Sequence, residues 1–317
     1  MGDQLDLNKA IGYQFQDQPV SWNRRDLILY AIGIGAKKDD FAFIYELDKS
    51  FAAFPTYPVI LFVKGTSQDV VDFNEILSAN RDDKPPGLPR MPPEGIVHAS
   101  QSIEIYRQLP VDSGSGWKLK KRVVGIHEIK SGIILDSEFT LIDPRGTPYC
   151  RMITSGLYRG VKGTGTKFSK SIARCPQGQP IPKERKPDYI FTESTSENQA
   201  IMNRLSGDYN PLHIDPTIGQ RVGFGGVILQ GLGNFGFGAR AVLNVIGGGD
   251  PSALRAFGVR FASPVKPGDT LETSMWEVGE RPDNTIEISF ITKNLTTNKI
   301  CLDGGVAYVN RNEMSKL

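Results

Sequence analysis

Three residues able to hold or move protons, Asp208, Asn210 and His213, lie within six positions of one another. Carboxylates and imidazoles are among the side chains that most often transfer protons in enzymes. Separations of two and five residues do not place these groups on one helical face, where neighbours are three or four residues apart. The three side chains must therefore meet in a loop, which is a candidate site of acid–base chemistry.

A helix is predicted directly before this loop. Two upstream pairs have the spacing of a capping box, Ser194 with Glu197 and Ser196 with Gln199, and an apolar face follows them. Gly207 suits the helix end, and the proline after Asn210 favours an extended backbone there. This helix-loop segment can hold Asp208 and His213 on opposite sides of a small cavity.

The composition describes a globular chain of one large or two ordinary domains, with 317 residues, 39% apolar and 23% charged. Thirty-seven basic and 35 acidic residues leave a net charge of only +2, which argues against nucleic acid and favours a small-molecule partner. Cys150, Cys175 and Cys301 have neither zinc-site nor disulfide-framework spacing. A reducing compartment is therefore expected.

Targeting signals point to one organelle. The N-terminal region lacks the basic and apolar layout of a signal peptide. Residues 227–247 are apolar, but Arg240 and repeated glycines interrupt them, so we predict a core helix and no membrane span. Ser315, Lys316 and Leu317 match the address read by the peroxisomal import receptor. Peroxisomal localisation is the prediction.

An internal repeat organises the chain. The sequence GGVAY at 304–308 ends one series of strand patterns as SGLY at 155–158 ends an earlier one. We therefore predict two similar antiparallel halves, residues 1–158 and 188–317, joined by a Gly-, Pro- and Lys-containing linker at 159–187. In the first half, Ile34 and Ala36 stand where the second has Asp208 and Asn210. A non-catalytic first half that binds an apolar acyl chain is expected.

A glycine-rich motif, GLGNFG at 231–236, allows two interpretations. It fits a dinucleotide-binding fingerprint, with Asp250 nineteen positions after Gly231. The antiparallel strand patterns that follow argue against the required βαβ unit. The alternative is a helix wrapped by a sheet, whose free N-terminal amides bind an oxyanion, with Gly231 as donor. Three scattered histidines, His98, His127 and His213, do not predict a metal site.

With these motifs, the chain resembles the (R)-specific 2-enoyl-CoA hydratases, known as hydratase 2, and the wider group of MaoC-like dehydratases. The resemblance covers nearly the whole chain. It lies in residues 26–33 (DLILYAIG), 55–56 (PT), 103–106 (IEIY), 205–216 (LSGDYNPLHIDP), 235–237 (FGF) and 260–262 (RFA), with Gly231.

The resemblance implies an α+β double hot-dog fold, in which each half wraps a sheet around a helix. It implies that Asp208 and His213 share acid–base work on water and on C2 of an enoyl thioester. Asn210 would orient them, and the Gly231 amide would hold the thioester oxygen. Acyl-CoA contacts would come from His98, Ala99, Lys130, Tyr209, Pro211, Leu212 and Phe261. The resemblance implies neither a metal nor another cofactor. It does imply a homodimer.

Two positions depart from the family pattern. Gln230 stands where relatives often have histidine, and Ala99-Ser100 replaces the common Gly-Glu. The predicted activity is reversible hydration of trans-2-enoyl-CoA to (3R)-3-hydroxyacyl-CoA in peroxisomal β-oxidation. A 3-hydroxyacyl-CoA dehydratase of a specialised pathway, and a non-catalytic acyl-CoA-binding protein, are the alternatives.

Overall fold

An antiparallel sheet of eleven strands dominates the structure, a computed structural model that describes residues 5–75, 84–89 and 96–310. The strands are β1 Gln18–Pro19, β2 Ile96–Ile105, β3 Lys118–Ile129, β4 Gly132–Ile142, β5 Pro148–Arg159, β6 Ser169–Ser171, β7 Tyr189–Ser194, β8 Leu254–Phe261, β9 Thr270–Glu280, β10 Ile286–Asn294 and β11 Lys299–Val309. The α-helices are α1 Arg24–Gly33, α2 Phe41–Ile44, α3 Leu61–Lys64, α4 Gln199–Arg204, α5 Pro216–Arg221 and α6 Gly231–Val245.

One strand order occurs twice in this sheet. The order is β1-β3-β4-β5-β2 and then β8-β11-β10-β9-β7, so the second set repeats the first in the opposite direction. The two sets join where β2 pairs with β8, from Ser100 opposite Arg260 to Glu104 opposite Ala256. Backbone hydrogen bonds thus make the sheet continuous across the repeat.

A β-bulge interrupts β2 close to this junction. Its pairing with β5 steps from His98 opposite Gly156 to Ser100 opposite Ser155, which leaves Ala99 as the extra residue. A bulge changes the direction in which neighbouring side chains point. It lies at the end of β2 where the candidate site is found.

The central helix α6 is buried around nearly its whole circumference and packs against β2 as well as against four strands of the second set. Phe235 on α6 stacks edge-on against Phe257, which in turn stacks on Phe290. The predicted core helix is therefore present. No helix within the described ranges is both long and apolar enough to cross a bilayer.

The segment between β5 and β7, which the sequence predicts to be a linker, is mostly exposed but includes strand β6. Strand β6 pairs with β3, where His127 lies opposite Ser169. The His127 ring also contacts Asp136 and Ser171 through Nε2. The lack of apolar periodicity concealed this strand, because all three of its residues are exposed.

Candidate active site

The candidate loop follows α4 and rests on the first half of the chain. Gly207 has a φ of +127°, and a Cβ at this position would lie 2.6 Å from the Cβ of Lys64. A side chain would therefore push the loop away from α3. Lys64 is itself buried, and its ammonium group lies 3.2 Å from the carboxylate of Asp26. A fixed surface of the first half thus supports the residue before Asp208.

His213 faces Asp208 with a defined tautomer. Its Nδ1 lies 2.8 Å from the carbonyl oxygen of Ile228, and a carbonyl can only accept, so Nδ1 carries the proton. In the neutral ring, Nε2 then offers a lone pair, and it lies 3.9 Å from Asp208 Oδ2. That distance is too long for a direct hydrogen bond. Both side chains are largely buried, with 8% and 16% of their surface exposed.

Asn210 links the two members of the Asp208–His213 dyad. Its backbone N–H donates to Asp208 Oδ1 at 3.3 Å. Its side-chain oxygen accepts from the N–H of Leu212 at 3.0 Å and thereby caps the short 3-10 helix Pro211–His213. One residue therefore restrains both the carboxylate and the helical turn that carries the imidazole.

Helix α6 begins three residues after Ile228, whose carbonyl accepts from His213. Gly231 is the first residue of this helix, and the Gln230 side chain does not cap the amides of its first turn. A Cβ on Gly231 would lie 3.6 Å from His98 Nδ1 and 3.7 Å from the Phe261 ring. The structure thus brings three predicted site residues together: Gly231 from α6, His98 from β2 and Phe261 from β8.

His98 is half-buried, and its ring nitrogen Nε2 is shielded from solvent. Burial lowers its pKa to about 4, and hydrogen bonding with Gln101 and Ser100 offsets only part of that effect. Its ring packs against Phe261 with centroids 4.6 Å apart. His98 is therefore neutral near pH 7 and places an uncharged polar ring beside Gly231.

The other predicted contact residues have different environments. Tyr209 is buried, and its hydroxyl donates to the carbonyl of Asp69, so it anchors the loop to the first half. Pro211 and Leu212 lie half-buried in the loop. Ala99 is the bulge residue, and Lys130 is exposed in the turn between β3 and β4.

Ile34, which the sequence aligns with Asp208, lies in the core. It is fully buried, and its side chain fills the space beside Gly236 of α6. Within residues 5–75, 84–89 and 96–310, no three His, Cys, Asp or Glu side chains gather as a metal site would require.

The contacts that hold α4, and with it the loop of Asp208, against the end of α1 were not predicted. Gln199 on α4 donates to the carbonyls of Ile32 and Gly33, at 3.1 and 2.7 Å, and Asn203 donates to that of Gly33. These amides satisfy carbonyls at the end of α1. The capping-box spacing did single out Gln199, whose side-chain oxygen accepts from the Ser196 N–H. The carbonyl that orients His213 has no sequence signal, because every residue carries one.

Two family models match the chain. Residues 20–160 match the MFE-2 hydratase 2 N-terminal domain, and residues 179–299 match the MaoC like domain. The chain is 33% identical over 309 residues to a probable enoyl-CoA hydratase 2 of Dictyostelium discoideum, covering 96% of this chain and 97% of that protein. The predicted resemblance is therefore confirmed.

Two further relatives differ in name. A peroxisomal enoyl-CoA hydratase 2 of Arabidopsis thaliana is 31% identical, covering 93% of each chain. A probable dehydratase of Ajellomyces capsulatus is 35% identical, covering 84% of this chain and 71% of that protein.

Solved structures confirm the predicted fold. A MaoC-like dehydratase of Phytophthora capsici superposes with a TM-score of 0.83 and 35% identity, covering 97% of this chain and 99% of that one. A Mycobacterium tuberculosis protein described as having a double hotdog fold superposes with a TM-score of 0.58, covering 95% of this chain and 96% of that one. At 10% identity, the second match shows the fold alone.

Proposed function

Because the chain belongs to the family of MaoC-like hydratase 2 proteins, we propose that it catalyses reversible hydration of trans-2-enoyl-CoA to (3R)-3-hydroxyacyl-CoA. The predicted enzyme class, hydro-lyase, is confirmed by this membership. The observation that carries the proposal is that His213 Nε2 faces the Asp208 carboxylate across 3.9 Å while Nδ1 is held by the carbonyl of Ile228.

In this proposal, one water binds between the carboxylate and the imidazole, since a gap beyond direct hydrogen-bond length can be bridged by water. The water oxygen bonds to C3 of the enoyl group as one partner takes its proton. The pair then passes the proton taken from the water to C2, so the hydroxyl and the proton of one water both end on the substrate and the pair returns to its starting protonation state. Asp208 and His213 share these two transfers, and the reverse sequence removes water. Positioned proton transfer of this kind contributes roughly 10² to 10⁴ in rate.

Addition at C3 sends negative charge to the thioester oxygen as an enolate forms. We assign the amide of Gly231 to this oxygen, because it opens a helix and its N–H has no partner within the helix. A fixed donor of this type contributes about 3 kcal/mol to the stability of such a transition state. The neutral ring of His98 and the ring of Phe261 border the same position and are proposed to contact the acyl-CoA.

The remaining proposed contacts concern the rest of the acyl-CoA. Residues 209, 211 and 212 of the loop, with Ala99 at the bulge, would line the path of the thioester. Lys130 is exposed in its turn and would bind a CoA phosphate through its charge. The first half would hold the acyl chain and the second would supply the chemistry.

The proposed setting is peroxisomal β-oxidation. It is supported by the Arabidopsis relative, which is named peroxisomal, and by the tripeptide Ser315-Lys316-Leu317. Those three residues lie outside the described part of the chain, and their proposed partner is the import receptor. A homodimer is proposed from the family resemblance.

A second candidate is a 3-hydroxyacyl-CoA dehydratase of a specialised pathway, favoured by the relative of Ajellomyces capsulatus that is named a probable dehydratase. It uses the same residues in the reverse direction. A panel of acyl-CoA substrates differing in chain length and branching separates the two, because a specialised enzyme turns over one narrow class. Acyl-CoA binding without any turnover would instead support a binding protein.

The direct test is loss of enoyl-thioester absorbance with crotonyl-CoA and trans-2-decenoyl-CoA, followed by chiral analysis of the product. We expect the (R) alcohol, and a loss of at least about 10²-fold in Asp208→Asn and His213→Ala. Asp215→Asn is the matched control, because Asp215 caps α5 seven residues after Asp208 and asparagine caps as well. An (S) product, or wild-type turnover in Asp208→Asn, contradicts the proposal.

A further inference from the structure

Gln230 is the residue before Gly231, and its side chain bonds to the backbone of α4. It is completely buried, and its Nε2 donates to the carbonyl oxygen of Ala200 at 3.0 Å. Its own carbonyl accepts from the N–H of Asn234 and so forms the first hydrogen bond of α6. Gln230 is thus bonded to α6 through its backbone and to α4 through its side chain.

These two helices carry different parts of the proposed chemistry. Helix α4 ends at Arg204 and leads through a short turn to Asp208. Helix α6 begins with Gly231, whose amide is the proposed oxyanion donor. A bond between the second residue of α4 and the residue just before α6 therefore restrains the separation between the acid–base loop and the proposed oxyanion donor.

We propose that Gln230 is a positioning residue that keeps Asp208 and the Gly231 amide at a fixed separation. This inference rests on the proposed function. A primary amide cannot act as a general acid or general base near neutral pH. This amide donates its hydrogen bond to a backbone carbonyl. Its effect on the rate is therefore geometric. Misplacement of a reacting group by about 1 Å can cost about 10²-fold in rate, so one such bond is sufficient to matter.

The same geometry predicts that a histidine at position 230 can make the hydrogen bond that glutamine makes. The bond to Ala200 needs one N–H donor, which a neutral imidazole also has. The other polar atom of Gln230, Oε1, has no hydrogen-bond partner among the residues that the structure describes. A histidine here would therefore replace the only side-chain bond that glutamine makes in the described structure.

Three variants test the positioning role by steady-state kinetics and pH profiles. Gln230→Ala should lower kcat at least tenfold with KM changed less than threefold. Gln230→His should recover kcat to within about threefold of the wild type, with the same pH–rate profile. Ser289→Ala is the matched control, because its buried hydroxyl donates to the carbonyl of Gln179 at 2.6 Å in the segment between β5 and β7, and its kcat should be unchanged.

Hydrogen exchange of the free protein provides a readout that needs no substrate. Peptides spanning 199–213 and 228–235 should exchange faster in Gln230→Ala than in the wild type or in Ser289→Ala. Unchanged exchange in these peptides overturns the inference, whether or not the protein hydrates enoyl-CoA. So does a pH–rate profile of Gln230→His that gains a new ionisation, since the side chain would then face the reaction. Absence of hydration in a wild type with the expected exchange pattern rejects the proposed function alone.

Discussion

At the scale of single residues, the two histidines near α6 are restrained in different ways. His213 is oriented by one backbone carbonyl, which fixes the proton on Nδ1 and leaves Nε2 directed at Asp208. His98 is kept neutral by burial, which lowers its pKa to about 4. The first restraint is suited to a ring that exchanges protons, and the second to a ring that must stay uncharged.

The buried state of His98 predicts acid sensitivity. Its pKa falls from 6.5 to about 4 on folding, so the unfolded chain binds the proton more readily. The resulting stability is present above pH 6.5 and is lost as the pH falls through about 4. Between pH 7 and 4.5, this group should account for about 2 kcal/mol of lost stability.

The measurement is urea unfolding of the wild type and of His98→Gln at both pH values. Glutamine keeps a polar side chain but does not titrate, so the variant should lose about 2 kcal/mol less than the wild type on acidification. An identical pH dependence in the two proteins would show that His98 is not buried in the neutral form.

At the scale of elements, glycines let α6 approach its neighbours closely. A Cβ on Gly236 would lie 2.2 Å from Ile34 Cγ2, and one on Gly233 would lie 3.1 Å from the side chain of Asn203. The motif that fits a dinucleotide fingerprint therefore serves helix packing, within the second half at Gly233 and between the halves at Gly236. The antiparallel strand patterns after it were the observation that distinguished the two interpretations.

Gly236→Ala tests this packing. In an unhindered helix, alanine would stabilise by about 1 kcal/mol relative to glycine. Here the contact with Ile34 should reverse the sign and destabilise by about 1–3 kcal/mol, because an extra methyl group overpacks a filled core.

The matched variants are Ile34→Ala alone and the Ile34→Ala/Gly236→Ala pair, with the free energy of unfolding measured by denaturant titration. In the pair, the added methyl should cost much less than in the single variant, because the smaller residue at 34 leaves room. Equal effects of Gly236→Ala in both backgrounds would show that the two residues do not contact each other.

At the scale of the whole molecule, hydrogen bonds cross the repeat in several places, including the bonds from Tyr209 to the carbonyl of Asp69 and from Arg240 to the carbonyl of Ile34. Strands β2 and β8 pair at the centre of the sheet, and Gln199 and Asn203 bond to the end of α1. The segment 183–186 between the halves is exposed. The association of the halves therefore depends on these contacts more than on the connecting chain.

A protease site inserted between Lys183 and Glu184 tests this arrangement. After cleavage, the two fragments should elute together in size-exclusion chromatography, with hydration activity within about twofold of the uncut protein. An uncut sample carrying the insertion is the control. Separation of the fragments, or loss of activity on cleavage alone, would contradict the expectation.

The sequence was informative wherever the signal is local. The loop from Asp208 to His213, the helix before it and the core helix α6 could be predicted, because spacing, capping and apolar runs act over a few residues. Contacts between distant segments could not, since nothing near Gln199 specifies that Gly33 is its partner. Strand β6 was missed for a related reason, as its pairing with β3 leaves no buried face.

The bonds from α4 to the last carbonyls of α1 have a consequence for how such a chain can change during evolution. Gly33 has room only for hydrogen beside the backbone of Asn203, and Gly236 only for hydrogen beside Ile34. Each pair joins a residue of one half to a residue of the other. Recombination that exchanged a single half between two diverged relatives would separate these partners. The two halves are therefore expected to be inherited as a matched unit, although only one contains the proposed acid and base.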